Sequence, residues 1–97
     1  MNANRIFTVL IEREGYNKQQ AALLSKDLAG IAEEIRPLFE AWINSGDKPD
    51  YEYKGITLFN LISSTGMSYP AAVSTFDWLL KDSDVALPVI NKMMRTE

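Results

Sequence analysis

From Ala21 to Trp42 one apolar stripe runs without losing phase: Ala21, Leu24, Leu28, Ile31, Ile35, Leu38 and Trp42 follow one another at spacings of 3, 4, 3, 4, 3 and 4. A helix brings residues at those spacings to one face, and Lys26, Asp27, Glu33, Glu34, Arg36 and Glu40 all fall off it. The start signal stands just before the stripe. Asn17 can accept the N–H of Gln20 while the Gln20 side chain reaches back, a capping box that opens a helix at Lys18. Two residues oppose a straight rod. Gly30 weakens the helix, and Pro37 removes the hydrogen bond to the Glu33 carbonyl and crowds it. Because the stripe keeps its phase past the proline, the pattern predicts one continuous helix kinked near 34–37 and ending near Asn44. It would be the spine of the fold, with Leu28, Ile31, Ile35 and Leu38 in the core.

Around that spine the punctuation marks further short helices. Ile6, Val9, Leu10 and Arg13 share the i, i+3, i+4, i+7 pattern, and Gly15 stands where a left-handed C-terminal cap is needed, so a helix is expected over 4–14. The competing reading takes residues 5–11, β-branched and apolar, as a strand paired with 51–56, which would make the fold α+β. Ser45 to Asp50 concentrates turn formers and reads as a surface loop. Thr57 to Thr65 then reads as a short helix with Leu58, Leu61 and Ile62 inward, stopped by Gly66. Ser68 caps the next, with Pro70 tolerated in its first turn and Val73, Phe76, Leu79 and Leu80 inward to about Lys81. Asp82, Ser83 and Asp84 offer a last cap, before a helix over Val85 to Met94 with Ala86, Val89, Ile90 and Met93 on one face. The expected fold is all-α, a single domain over 1–97, with about five helices in a compact bundle around a long kinked second helix.

Composition removes most chemistries. The chain has no cysteine and no histidine, so disulfides, Ser-His or Cys-His nucleophile pairs and the usual zinc and haem sites are all excluded. The carboxylate pairs Glu33/Glu34 and Asp82/Asp84 flank a helix seam and a cap, where charges are ordinarily solvated or capping. Five glycines lie singly at 15, 30, 46, 55 and 66 and form no phosphate-binding pattern, and Asp47 to Tyr51 lacks the alternating oxygen ligands of a calcium loop. No catalytic, cofactor-binding or metal-ligating residue is therefore expected, and no small-molecule substrate is evident. Ten basic residues against 13 acidic give a net charge of −3, a balance that disfavours nucleic acid and anionic lipid. The apolar run 6–11 is too short and too soon followed by charge for a signal peptide or membrane span, and the expected location is the cytoplasm.

One segment departs from the pattern of a self-sufficient domain. Between Ile56 and Leu80 Asp77 is the only Asp, Glu, Lys or Arg, although a helix in a small domain ordinarily shows a charged outer face. The outer positions would be polar but uncharged, with Phe59 and Trp78 among them, and charge depletion with exposed aromatics is the mark of an interface centre. Phe59, Ser63, Tyr69, Ser74 and Trp78 are the candidate protein-interface residues. The Tyr51/Tyr53 pair reads as rings laid on the core with their hydroxyls in water.

The run Ile56 to Ile62, then Thr65-Gly66-Met67-Ser68, then Val73-Ser74 and Phe76-Asp77-Trp78-Leu79 resembles the helix-turn-helix of bacterial transcription regulators. That resemblance, over 56–81, implies a second helix that reads the major groove. The sequence departs from it where DNA contact would occur, because no Arg or Lys precedes Lys81 in the would-be reading helix. The expected function is a non-enzymatic module that binds a protein partner or itself, a homodimer being the form expected, with DNA binding as the alternative.

Overall fold

The computed structural model describes residues 2–95. Asn2 accepts the N–H of Asn4 at 2.8 Å and opens the first helix, α1 (Ala3–Glu14); Gly15 closes it at φ 74°, its N–H donating to the Ile11 carbonyl. Ile6 and Leu10 are buried on one face of α1. Residues 5–11 are thus helical, and the strand alternative for them is overturned: the run is short enough for either element, but the caps at Asn2 and Gly15 and the burial of Ile6 and Leu10 at helical spacing favour helix.

The Asn17/Gln20 capping box forms as the sequence indicates and starts α2 (Lys18–Ala29). The expected continuous helix does not. After Gly30 the chain leaves the helix for a turn over 31–35, and α3 (Arg36–Ser45) begins anew with Pro37 in its first turn. A proline costs least there, because a first-turn N–H has no intrahelical acceptor. The break is held from outside by the fifth helix. The Asp77 carboxylate accepts the N–H of Ala32 at 2.8 Å, and the Lys81 ammonium donates to the Gly30 carbonyl at 2.8 Å. These bonds satisfy backbone groups that the interrupted helix leaves free. The break also shifts the apolar phase. Ala21, Leu28, Ile31, Ile35 and Trp42 are buried, but in α3 Phe39 and Ile43 join Trp42 inside while Leu38 is only partly covered.

The two strands, β1 (Glu52–Tyr53) and β2 (Ile56–Thr57), pair antiparallel with Glu52 opposite Thr57 and Tyr53 opposite Ile56. The partner of the 51–54 segment is therefore the residues that follow it, not residues 5–11. Lys54 and Gly55 turn the corner with φ of 52° and 79°, the two positive values that a tight two-residue hairpin loop demands.

Thr57 caps α4 (Leu58–Thr65) by accepting the N–H of Asn60 at 3.0 Å, and Ser68 caps α5 (Tyr69–Lys81) by accepting the N–H of Ala71 at 3.2 Å. Gly66 between them is left-handed. Asp82 ends α5 and begins α6 (Ser83–Met94), but its side chain makes no capping hydrogen bond. Six helices are thus present among the described residues, one more than expected because the spine is two. α1 packs along α2, α2 against α5, and α4 against both α5 and α6. The Cα radius of gyration is 12.9 Å, that of a compact body of this length. No helix among the described residues is long and apolar enough to cross a membrane.

Trp42 sits where these layers meet. Its ring stacks on Phe39 with centroids 5.6 Å apart and tilts against Tyr69 at 6.3 Å. The Arg13 guanidinium lies 4.8 Å from the Trp42 ring centroid and donates to the Trp42 and Ile43 carbonyls near the C-terminal end of α3. A cation there meets both the indole face and the negative end of the helix dipole.

Candidate functional site

The five candidate interface residues separate into three environments. Phe59 and Ser63 lie on the outer face of α4, where they line an open groove of about 400 Å³ together with Lys48, Asn60 and Ile62. Phe59 is 52% exposed, far from covered for so large an apolar side chain. Ser74 and Trp78 stand on the outer side of α5, Trp78 37% exposed, and neither lines that groove. Tyr69 is 2% exposed and belongs to the core.

Tyr69 is the correction that matters. An uncharged run has little polar contrast, so sequence spacing could not tell which face of α5's first turn points inward. The structure tucks that turn under the 46–50 loop, where the Tyr69 hydroxyl donates to the Pro49 carbonyl at 2.7 Å and its ring meets Trp42. Burial, with the Asp50 charge adding to it, pushes the Tyr69 hydroxyl pKa up to about 12. The neighbouring turn is fastened in the same way, by a hydrogen bond between the Tyr16 and Ser68 hydroxyls.

The charge content of the α4 and α5 hairpin is set by Asp77. Its side chain is 14% exposed, pairs with Lys81 at 3.0 Å and accepts the Ala32 N–H. The one carboxylate between Ile56 and Leu80 is consequently committed to structure, and the outward side chains are Phe59, Asn60 and Ser63 on α4 and Ala71, Ser74 and Trp78 on α5, with the half-exposed Lys81 at the end of α5.

Lys48 escaped sequence reading because it lies in the turn-rich loop, eleven residues before Phe59, the next residue of its groove. It forms no ion pair among the described residues. Asp50, two positions on, is occupied in accepting the N–H groups of Tyr51 and Phe59 at 2.8 and 3.0 Å. That pairing ties the loop to the start of α4 and brings Lys48 to the groove.

A second surface departs from expectation on α6. Ala86 and Ile90 are buried, but Val89 and Met93, expected beside them, face out, and Val85 is 54% exposed. Apolar residues flank Ala86 and Ile90 on both sides, Val89 and Met93 on one, Leu87 and Met94 on the other. α6 has docked with the Leu87/Met94 side partly covered, leaving the other in solvent. Trp78 and Met93 are thus both left more than a third exposed, while Met94 packs against the core. Among the described residues no three acidic side chains gather as metal ligands.

Comparison of the chain with protein-family models, with curated proteins and with solved structures finds no match.

Proposed function

We propose that this protein is a non-enzymatic interaction module of the cytoplasm that associates with a second copy of itself through the carboxylate-free outer side of the α4 and α5 hairpin. The observation that carries the reading is the inward commitment of Asp77, which leaves Phe59 and Trp78 exposed on faces that hold no carboxylate of the hairpin and whose nearest charges are Lys48 beside Phe59 and Lys81 beyond Trp78. A chain of net charge −3 repels its own kind, and an apolar face without exposed carboxylates is where two copies meet with least repulsion between their acidic groups. Closed two-fold dimers place the same surface on both sides of the contact, so a self-compatible face is the requirement.

The geometry of α5 argues for this reading over the helix-turn-helix alternative. A reading helix offers its N-terminal residues to the base edges. Here those residues are Tyr69 and Pro70, both buried, and the one lysine of α5 is engaged with Asp77 and Gly30.

Sedimentation equilibrium on the intact chain at micromolar concentration tests the proposal. The expected result is a reversible dimer that dissociates when Phe59 and Trp78 are both replaced by Glu, with helical content and cooperative unfolding retained. A monomer before substitution, or an undiminished dimer after both, overturns it.

A further inference from the structure

The two bonds from α5 that hold the break between α2 and α3 stand in for bonds that a helix makes by itself. In an unbroken helix the Ala32 N–H donates to the Leu28 carbonyl and the Gly30 carbonyl accepts the Glu34 N–H. Here Asp77 and Lys81 fill those places. The break is also short. The Ala32 carbonyl already accepts the Arg36 N–H at 3.1 Å, an i to i+4 bond, so the departure from helix centres on Gly30, Ile31 and Ala32. Glu33 is exposed, and its carbonyl, which Pro37 leaves without a donor, is open to water with or without the break. The apolar stripe keeps its phase across these residues, and Leu38, which belongs to the stripe, is only partly covered in the broken form.

An unbroken helix does not fit inside one copy. From Lys18 to Ser45 it has about 28 residues and a length of about 42 Å, against a longest dimension of 34 Å for the chain. It carries α1 and α2 away from the groups that receive them: the Trp42 and Ile43 carbonyls that accept from Arg13, and the Ser68 hydroxyl that meets Tyr16. A second copy offers the same groups. We infer that two copies exchange α1 and α2, residues 30–32 straightening so that α2 and α3 run as one helix in each chain of the dimer. The contacts of α1 and α2 with the rest of the fold are remade between copies, so the dimer uses surfaces that the monomer already pairs. Asp77 and Lys81 are the latch that holds the monomer. This exchange is separate from association through Phe59 and Trp78 and does not rest on it.

Substitution at the hinge tests it. Gly30 has φ −112°, and a Cβ added there meets nothing within 4 Å, so Gly30→Ala fits the break while favouring helix. Each dimer contains two hinges, and after refolding at about 1 mM the dimerisation constant rises by about 30-fold. Asp77→Ala, which removes a partner that only the broken form needs, raises it as well. Both are made with Phe59→Glu and Trp78→Glu in the same chain and measured by size exclusion with light scattering. The dimer is then prepared from equal amounts of isotope-labelled and unlabelled chains. In it, isotope-filtered nuclear Overhauser spectra show Tyr16 of one chain against Ser68 of the other. A dimerisation constant that neither substitution raises, or a dimer in which the Tyr16 and Ser68 contact stays within each chain, overturns the inference.

Discussion

The Asp77 carboxylate lies 2.8 Å from the backbone nitrogen of Ala32, a bond that spans 45 residues and closes the break between α2 and α3 from the side of α5. Through Lys81, which pairs with Asp77 and caps the Gly30 carbonyl, the same helix supplies both a donor and an acceptor to the interrupted backbone. One contact thereby does two things: it stabilises a helix break, and it withdraws the hairpin's only carboxylate from the surface.

Replacing Asp77 by Ala should therefore leave the Ala32 N–H without its acceptor at a site with little access to water. The expected loss is about 1 to 3 kcal/mol, seen as a lower denaturant midpoint at unchanged slope. A midpoint within error of the parent's would show that the break is stable without this bond.

The phase shift across the break predicts opposite sensitivities at adjacent positions. Phe39→Ala opens a cavity beside Trp42 and should cost about 3 to 5 kcal/mol, whereas Leu38→Ala, at a partly covered site, should cost clearly less. Equal losses in thermal unfolding would restore the continuous helix that the stripe suggests. Ile31→Asp, which buries an unpaired charge, is expected to abolish cooperative unfolding altogether.

Tyr69 predicts a pH dependence. Its hydroxyl has an ordinary pKa of 10 in the unfolded chain and about 12 in the folded one, so between those values the unfolded state has released a proton that the native state still holds. The native state then binds more protons, and stability falls as pH rises. The contribution is complete below about pH 10 and is lost progressively up to about pH 12. Tyr69→Phe gives up the hydrogen bond to Pro49, at a cost of about 0.5 to 1.5 kcal/mol near neutrality, but is free of this titration. The stability gap between protein and variant should narrow through that window in urea titrations; a constant gap contradicts the assignment.

Duplex DNA should bind weakly and without sequence preference. Fluorescence anisotropy in about 150 mM salt is the measurement, and sub-micromolar selective binding there would favour the helix-turn-helix reading, with Ser74 and Thr75 the residues to replace first.

The local signals were legible in the order of residues. Gly15 and Gly66 as left-handed stops, the Asn17/Gln20 box, and Ser68 as a cap all act within four positions along the chain, and each stands where its spacing says. The charge-poor run over 56–80, with Phe59 and Trp78 on its outer sides, was equally open to reading. What periodicity could not decide was anything settled by a partner distant in sequence. The stripe from Ala21 to Trp42 is compatible with one helix or two, and the choice fell to Pro37 only because Asp77 and Lys81, far along the chain, satisfy the backbone that a break exposes. Tyr69 and the Val85, Val89 and Met93 line lie on helices whose apolar arc is wider than the face that docks. Sequence determines how wide that arc is. Tertiary packing selects which part of it is covered, because neighbouring helices compete for the same core, and it buried Tyr69 against Trp42 while leaving Val85, Val89 and Met93 in solvent.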